Sequence, residues 1–216
     1  MMRDLITGRP NYGAVLADPA WRFETYGAGG MGRSPDGVSE TPAMPLFGID
    51  AERTAEHHYP TMSTDEICAL DVGQRESPHC VLYLWATFPM IEHGLRVMSA
   101  WGFRYAAARV WVKTRVSGFD PFLTLEQNFP MGTGYITRGN PEPLLIGVRG
   151  KPEWQAPPRA LMIAPRREHS RKPDFVRDEI DRQLAGPKLE MFSRRPPSGN
   201  WDVWGNQTDR FAGAAA

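Results

Sequence analysis

Residues 13–17 read Gly-Ala-Val-Leu-Ala, and Asp18-Pro19-Ala20-Trp21 follows them directly. The apolar run is short and continuous, which is typical of a strand buried on both faces of a sheet. Pro19 ends the strand because its ring fixes φ and removes a backbone donor. In open α/β sheets, ligands bind beyond the carboxyl ends of the strands. The stretch therefore predicts a buried parallel strand that directs Asp18 into a binding site.

The residue types of this turn suit the binding of an exocyclic amine on a nucleobase. Such an amine is a poor nucleophile because its lone pair is delocalised into the ring. The Asp18 carboxylate and the Pro19 carbonyl offer two acceptors for its two N–H groups, and the Trp21 ring offers a stacking surface for an extruded base. The alternative is structural, since Asp-Pro after a strand commonly forms a turn and a lone Trp commonly lies in the core. The tetrad alone favours that alternative.

Composition sets the limits within which these residues are interpreted. A chain of 216 residues is long enough for one α/β domain with a full core. Its 25 Lys and Arg balance 25 Asp and Glu, so no global basic field indicates nucleic acid. Residues 159–172 nevertheless form a basic run, which suits either phosphate binding or a solvated face. Cys68 and Cys80 lack the spacing of a metal site or a disulfide framework.

The order of patterns along the chain predicts the fold class. Strand-like runs alternate with helical ones, which predicts an α/β protein with a doubly wound, mostly parallel sheet. Ser63 and Glu66 predict a capping box at a helix start. The remaining predicted strands cover 80–86, 105–112, 142–148 and 188–192, and the predicted helices cover 63–70, 89–101 and 173–184.

The predicted organisation is one domain with two irregular segments. Residues 24–57 are rich in Gly, Pro, Ser and Thr and predict a substrate-binding or lid segment, since loops of this length are usually functional or mobile. Residues 115–140 form a second polar segment. The domain is expected to span 13–209, with a lead-in at 1–12 and a tail at 210–216. The sequence shows no signal peptide or transmembrane run, so we expect a soluble, cytoplasmic protein with no membrane partner.

A second group of candidate residues lies in the carboxyl-terminal half. Glu190 lies near the end of a predicted strand, where nucleotide-binding folds place an acid for ribose hydroxyls, although a solvent-facing Glu is the commoner case. Lys172 directly precedes a predicted helix and suits a carboxylate or phosphate, with a capping turn as the alternative. The amides of Asn206 and Gln207 suit either the polar edge of a nucleoside or a simple turn.

Taken in order, these segments resemble the adenine-N6 methyltransferase family that contains the catalytic subunit of the eukaryotic messenger-RNA methyltransferase, together with bacterial and phage relatives. The resemblance runs from about residue 13 to residue 209. The matching segments are 17–21, 59–63, 82–85, 111–114, 142 with 147–150, 169–174, 189–194 and 205–207.

This resemblance implies a Rossmann-like methyltransferase with a permuted motif order. The implied reaction is transfer of a methyl group from S-adenosylmethionine to the N6 amine of adenine, without a metal ion. Single-domain relatives imply a site-specific enzyme of a bacterium or phage that acts on DNA, as a monomer or homo-oligomer. The implied catalytic residues are Asp18, Pro19, Ala20 and Trp21. The implied substrate-binding residues are Tyr59, Lys113 and Glu142. The implied cofactor-binding residues are Asp18, Lys172, Glu190, Phe192, Arg194, Asn206 and Gln207.

Two departures from the family pattern leave alternatives open. Ala20 stands where the family usually has a second proline, so we expect a less rigid turn and slower chemistry or none. Arg195-Pro196-Pro197 replaces polar residues that follow Arg194 in the messenger-RNA enzyme. The alternatives are RNA as substrate, a cytosine amine as target, and a catalytically degenerate nucleic-acid-binding relative. An unrelated nucleotide-dependent enzyme would need a phosphate loop directly after the first strand, and Gly27–Gly30 lies too far along the chain.

Overall fold

The structure is a computed structural model that describes residues 11–22, 61–72, 76–132, 137, 139–168 and 171–211. The predicted segment 24–57 and Tyr59 lie outside the described residues. Within the described part of the chain, no helix has the length and apolar character needed to cross a membrane.

The described residues build a sheet of seven strands in the order β5-β3-β4-β2-β1-β6-β7. The strands are β1 (Tyr12–Ala17), β2 (Glu76–Trp85), β3 (Arg104–Thr114), β4 (Glu142–Arg149), β5 (Leu161–Pro165), β6 (Lys188–Met191) and β7 (Trp201–Trp204). The helices are α1 (Thr64–Cys68), α2 (Ile91–Ala100), α3 (Leu125–Asn128) and α4 (Phe175–Gln183), with a 3₁₀ turn at Phe88–Met90 before α2.

Helices cover both faces of this sheet, which confirms the doubly wound α/β prediction. Val15 and Ala17 of β1 pack into the apolar cluster that contains α1 and α2. Ala14 and Leu16 pack on the opposite face, where α4 contributes Ile180. Because successive side chains of a strand point to opposite faces, β1 must be apolar throughout, as its sequence shows.

The strand directions confirm a mostly parallel sheet and add one strand of opposite direction. β4 is antiparallel to both β2 and β3, whereas the other neighbouring pairs are parallel. The apolar run of β4 predicted a strand but not its direction, because a strand buried on both faces has the same pattern in either case. β5 and β7 were not predicted. The capping box at Ser63 and Glu66 is present, and α1 ends at Cys68, two residues before the predicted end.

The reversal of β4 determines which residues meet at one edge of the sheet. Six strands end at the carboxyl edge, whereas β4 begins there, because Trp85 of β2 pairs with Leu144 and Trp111 of β3 pairs with Glu142. The edge therefore combines the residues that follow the parallel strands with the first residue of β4.

Candidate active site

A chain of alternating charges crosses the carboxyl edge of the sheet. Lys172 Nζ lies 2.8 Å from Oδ1 of Asp18 and 3.0 Å from Oε1 of Glu142. The other oxygen of Glu142, Oε2, lies 2.8 Å from Nζ of Lys113. Asp18 follows β1, Lys113 lies near the end of β3 and Glu142 begins β4, so the sheet topology itself brings the carboxylates together. Lys172 reaches them from the segment that precedes α4.

The charge states in this chain follow from burial and from neighbouring ions. Burial raises the pKa of the Asp18 carboxyl, the Lys172 ammonium opposes this rise and Glu142 reinforces it, so the pKa lies above its usual value. Burial alone would raise the pKa of Glu142, but Lys172 and Lys113 together hold it below its usual value. Burial alone would lower the pKa of Lys172, but Asp18 and Glu142 raise it. Lys172 and Glu142 therefore stay ionised at neutral pH, and Asp18 is the group whose ionisation is least favoured.

Side-chain exposure distinguishes the two carboxylates. Asp18 is 28 % exposed, whereas Glu142 is 12 % exposed and Lys172 is 14 % exposed. Asp18 is thus the carboxylate that a ligand at this edge reaches most easily. Glu142 lies deeper and holds the two lysine ammonium groups in place.

The turn after β1 is held by hydrogen bonds on several sides. The Trp21 N–H donates to the Pro19 carbonyl at 2.8 Å, and the Met62 N–H donates to the Ala20 carbonyl at 2.8 Å. The Trp21 indole is buried, and its Nε1–H donates to the backbone carbonyl of Trp85 at 3.2 Å. The ring therefore belongs to the core and fastens the turn to the end of β2. This is the structural alternative stated above, and the stacking of a base on Trp21 stays a prediction.

A pocket opens beside Asp18 between β6 and the start of α4. It is lined by five of the residues that the resemblance assigns to cofactor binding, namely Asp18, Lys172, Glu190, Phe192 and Arg194. Trp85 also lines it, with its ring centroid 5.6 Å from Lys172 Nζ. The pocket thus combines a cation, carboxylates and aromatic rings within one cleft.

Glu190 and Asp174 of this pocket are held by arginines that the sequence analysis did not assign. Arg195 joins the two carboxylates, with NH1 at 2.9 Å from Asp174 Oδ1 and NH2 at 3.4 Å from Glu190 Oε1. The second oxygen of Glu190 lies 3.3 Å from Arg177 NH1. Arg171 binds Asp174 Oδ2 at 3.0 Å. The adjacent pair Arg194-Arg195 after a strand was the available signal, but the contacts join positions far apart in the chain.

The structure does not bring the last two predicted cofactor residues into the pocket. Asn206 is exposed, and the Gln207 side-chain oxygen accepts a hydrogen bond from Arg210 NH1 at 3.1 Å. Gly205 precedes them where a Cβ would come within 2.7 Å of the Ser193 carbonyl oxygen, so the close approach of the chain requires glycine. Phe211, expected in the tail, lines the pocket and stacks on the Arg171 guanidinium.

Comparisons with known proteins agree with this geometry. A sequence model of the family described as MT-A70 matches residues 41–207. The chain is 28 % identical over 202 residues to the Type II methyltransferase M.MunI of Mycoplasma sp., which covers 91 % of this chain and 78 % of that protein. It is 32 % identical over 156 residues to the N(6)-adenosine-methyltransferase subunit METTL3 of Danio rerio and 31 % identical over 156 residues to an MT-A70-like protein of Drosophila melanogaster. These two alignments cover 70 % of this chain but only 25 % and 24 % of the relatives.

Proposed function

The chain belongs to the MT-A70 family of methyltransferases, and from this premise we propose that it transfers a methyl group to the N6 amine of adenine in DNA. The observation that supports this proposal most directly is the position of Asp18. Its partly exposed carboxylate lies at the carboxyl edge of the sheet, beside the pocket and bonded to Lys172. DNA is proposed because the chain aligns over 78 % of a Type II methyltransferase and over about a quarter of the N(6)-adenosine-methyltransferases.

The pocket residues fit S-adenosylmethionine, the cofactor that the family implies. The amino-acid end of this molecule is a zwitterion, and Lys172 and Asp18 offer the complementary cation and carboxylate. The Glu190 carboxylate is an acceptor for ribose hydroxyls, and its Oε2 makes no hydrogen bond within the described residues. When bound, the cofactor supplies a methyl group that its sulfonium charge already activates. The protein therefore contributes mainly position and polarisation.

In the proposed mechanism, Asp18 acts on the target amine. Its ionised carboxylate accepts a hydrogen bond from one N–H, which favours a nitrogen whose lone pair is available for attack. Because the pKa of Asp18 is raised, the carboxylate is also a better acceptor for the proton that the amine loses when the new C–N bond forms. The Pro19 carbonyl already accepts the Trp21 N–H, and its second lone pair is the proposed acceptor for the other amine hydrogen.

Transfer of labelled methyl groups tests this proposal. The protein is incubated with labelled S-adenosylmethionine and with duplex DNA, single-stranded DNA or RNA of random sequence, and the product nucleosides are separated. The proposal predicts N6-methyladenine in a DNA pool. Label in cytosine would contradict the proposed target, and label in RNA alone would contradict the proposed polymer.

RNA is the second candidate substrate because the chain is 32 % identical to an N(6)-adenosine-methyltransferase subunit. The same competition between pools separates the two. A catalytically degenerate relative would give no label in any pool although it binds the cofactor, and Ala20 is the feature that favours this outcome.

A further inference from the structure

The connection between β3 and β4 exposes an unusual number of large apolar side chains. We refer to residues 115–131 as the β3–β4 loop. Phe122 is 94 % exposed, the highest value among the large apolar residues that the structure describes as exposed. Such a patch contributes nothing to the core, and apolar patches of this kind commonly mark a binding surface. The other exposed members are Val116, Phe119, Leu125 and Met131.

Hydrogen bonds centred on Asn128 hold this loop in one conformation. Asn128 is fully buried, and its side-chain oxygen accepts the Asp120 N–H at 2.7 Å. Its Nδ2 group donates to the carbonyls of Asp120, Leu123 and Thr124 at 2.8, 3.1 and 3.1 Å. Thr124 adds a capping box at the start of α3. A loop fixed to this extent presents Phe122 without the entropic cost of ordering it on binding.

The base of the loop is fastened to the candidate active site. Asn140 accepts the Lys113 N–H at 2.9 Å and donates to the Lys113 carbonyl at 2.8 Å and to the Pro130 carbonyl at 2.7 Å. The ammonium group of the same Lys113 binds Glu142. The loop therefore rises from the edge of the sheet at which Asp18 lies.

Two exposed arginines flank the loop. Arg115 is its first residue and Arg166 follows β5, and the two lie side by side because Thr114 pairs with Pro165. The Arg166 N–H also donates to the Thr114 carbonyl at 3.1 Å. Neither guanidinium has a carboxylate partner within the part of the chain that the structure describes. Unpaired cations beside an exposed aromatic ring are the combination with which proteins bind single-stranded nucleic acid.

From these observations we infer that the β3–β4 loop is a preformed nucleic-acid contact, in which Phe122 stacks on an unpaired base and Arg115 and Arg166 bind the neighbouring phosphates. The inference rests on the proposed function and identifies where the polymer lies relative to Asp18. The shared chemistry of an unpaired base and its phosphates belongs to DNA and RNA alike, so the test includes both.

Binding measurements on Phe122→Ala test this inference. Fluorescence anisotropy is measured with labelled single-stranded DNA and RNA, and a 2-aminopurine base in a second set of oligonucleotides reports stacking. We expect roughly 5- to 150-fold weaker binding, the range for loss of one base–aromatic stack, together with a recovery of 2-aminopurine emission. Tyr105→Ala is the matched control, because Tyr105 is an exposed aromatic residue near the amino end of β3, at the opposite edge of the sheet. It should bind as the wild type does.

The salt dependence of binding tests the arginines separately. Arg166→Gln should reduce the slope of log K against log salt by roughly 0.7–0.9, the value for one lost phosphate contact. An unchanged affinity in Phe122→Ala would overturn the inference, as would a weaker affinity accompanied by loss of a wild-type dimer in sedimentation. If the wild type methylates DNA while Phe122→Ala binds normally, only this inference fails. If the wild type neither binds nor methylates any pool, the proposed function fails with it.

Discussion

The Lys172 ammonium lies between the two carboxylate oxygens of Asp18, at 2.8 Å from Oδ1 and 2.9 Å from Oδ2, although the residues are 154 positions apart in the chain. This pair closes the sheet topology at the candidate active site, since one partner follows β1 and the other precedes α4. Glu142 shares the same ammonium. The cation therefore holds two carboxylates that would otherwise repel each other.

Replacement of this cation should destabilise the fold. Lys172→Met leaves Asp18 and Glu142 mostly buried and unpaired, and we expect the free energy of unfolding at pH 7 to fall by about 3 kcal/mol, the lower end of the cost of breaking a buried ion pair. Urea denaturation measures the change. The double variant Lys172→Met/Glu142→Gln should regain part of the loss, because only one carboxylate remains. A single variant as stable as the wild type would contradict this account.

The raised pKa of Asp18 predicts the acid limb of the pH–rate profile. Because Asp18 must be ionised to act on the amine, kcat/KM should fall with acid at a pH above 3.8, the ordinary value for this group. Glu142→Gln removes the repulsion that raises the pKa of Asp18, so its acid limb should lie at lower pH than that of the wild type. A limb that moves to higher pH would show that the electrostatic assignment is wrong.

Stability should depend on the pKa of Glu142 with the opposite sign. The folded-state pKa of Glu142 is lowered, so its ionisation stabilises the fold above about pH 4.5, and this contribution is lost as the pH falls through the folded value. The wild type should therefore lose stability in that window, whereas Glu142→Gln should lose less. Denaturation curves between pH 3 and pH 7, taken in parallel with the rate profile, separate the two effects.

Trp21 should affect catalysis through the position of the turn. Trp21→Phe removes the bond to the Trp85 carbonyl and leaves that buried oxygen without a partner, at a cost of about 1–3 kcal/mol. Trp101→Phe is the matched control, because its indole donates to the buried Ile67 carbonyl at 3.0 Å on α1, away from the pocket. Both variants should lose similar stability in thermal unfolding, but only Trp21→Phe should lower kcat. Equal kcat values would assign Trp21 a role in stability alone.

Ala20→Pro should produce only a modest gain. The Ala20 N–H donates no hydrogen bond within the described residues, and the turn is already fixed by the Trp21 and Met62 bonds. We expect about 0.4–1 kcal/mol of added stability from the unfolded chain. Single-turnover kinetics should show a rate within about fivefold of the wild type, the factor that 1 kcal/mol provides. A gain of several orders of magnitude would show that the alanine, despite these bonds, leaves the turn misplaced.

The parts of the site that could be predicted from sequence are those encoded by local pattern. The apolar run before Asp18 identified β1 and its carboxyl end, and the acid in 188–192 identified Glu190 at the end of β6. The arginine that joins Glu190 to Asp174 could not be predicted, because Arg195 acts through contacts between separate elements. The direction of β4 was equally hidden, and that direction places Glu142 beside Lys172. Long-range pairing is set by topology, which a residue pattern does not specify.

The central claim is that Asp18 performs the transfer, and a comparison of wild type with Asp18→Asn tests it most directly. Asparagine keeps the size of the side chain but removes the charge that holds Lys172 and polarises the amine. With labelled S-adenosylmethionine, a DNA substrate and nucleoside separation, the wild type should produce N6-methyladenine, and Asp18→Asn should lose at least 100-fold in rate, about the contribution of one general-base group. If Asp18→Asn, folded and bound to DNA, methylated adenine at the wild-type rate, the account would be contradicted.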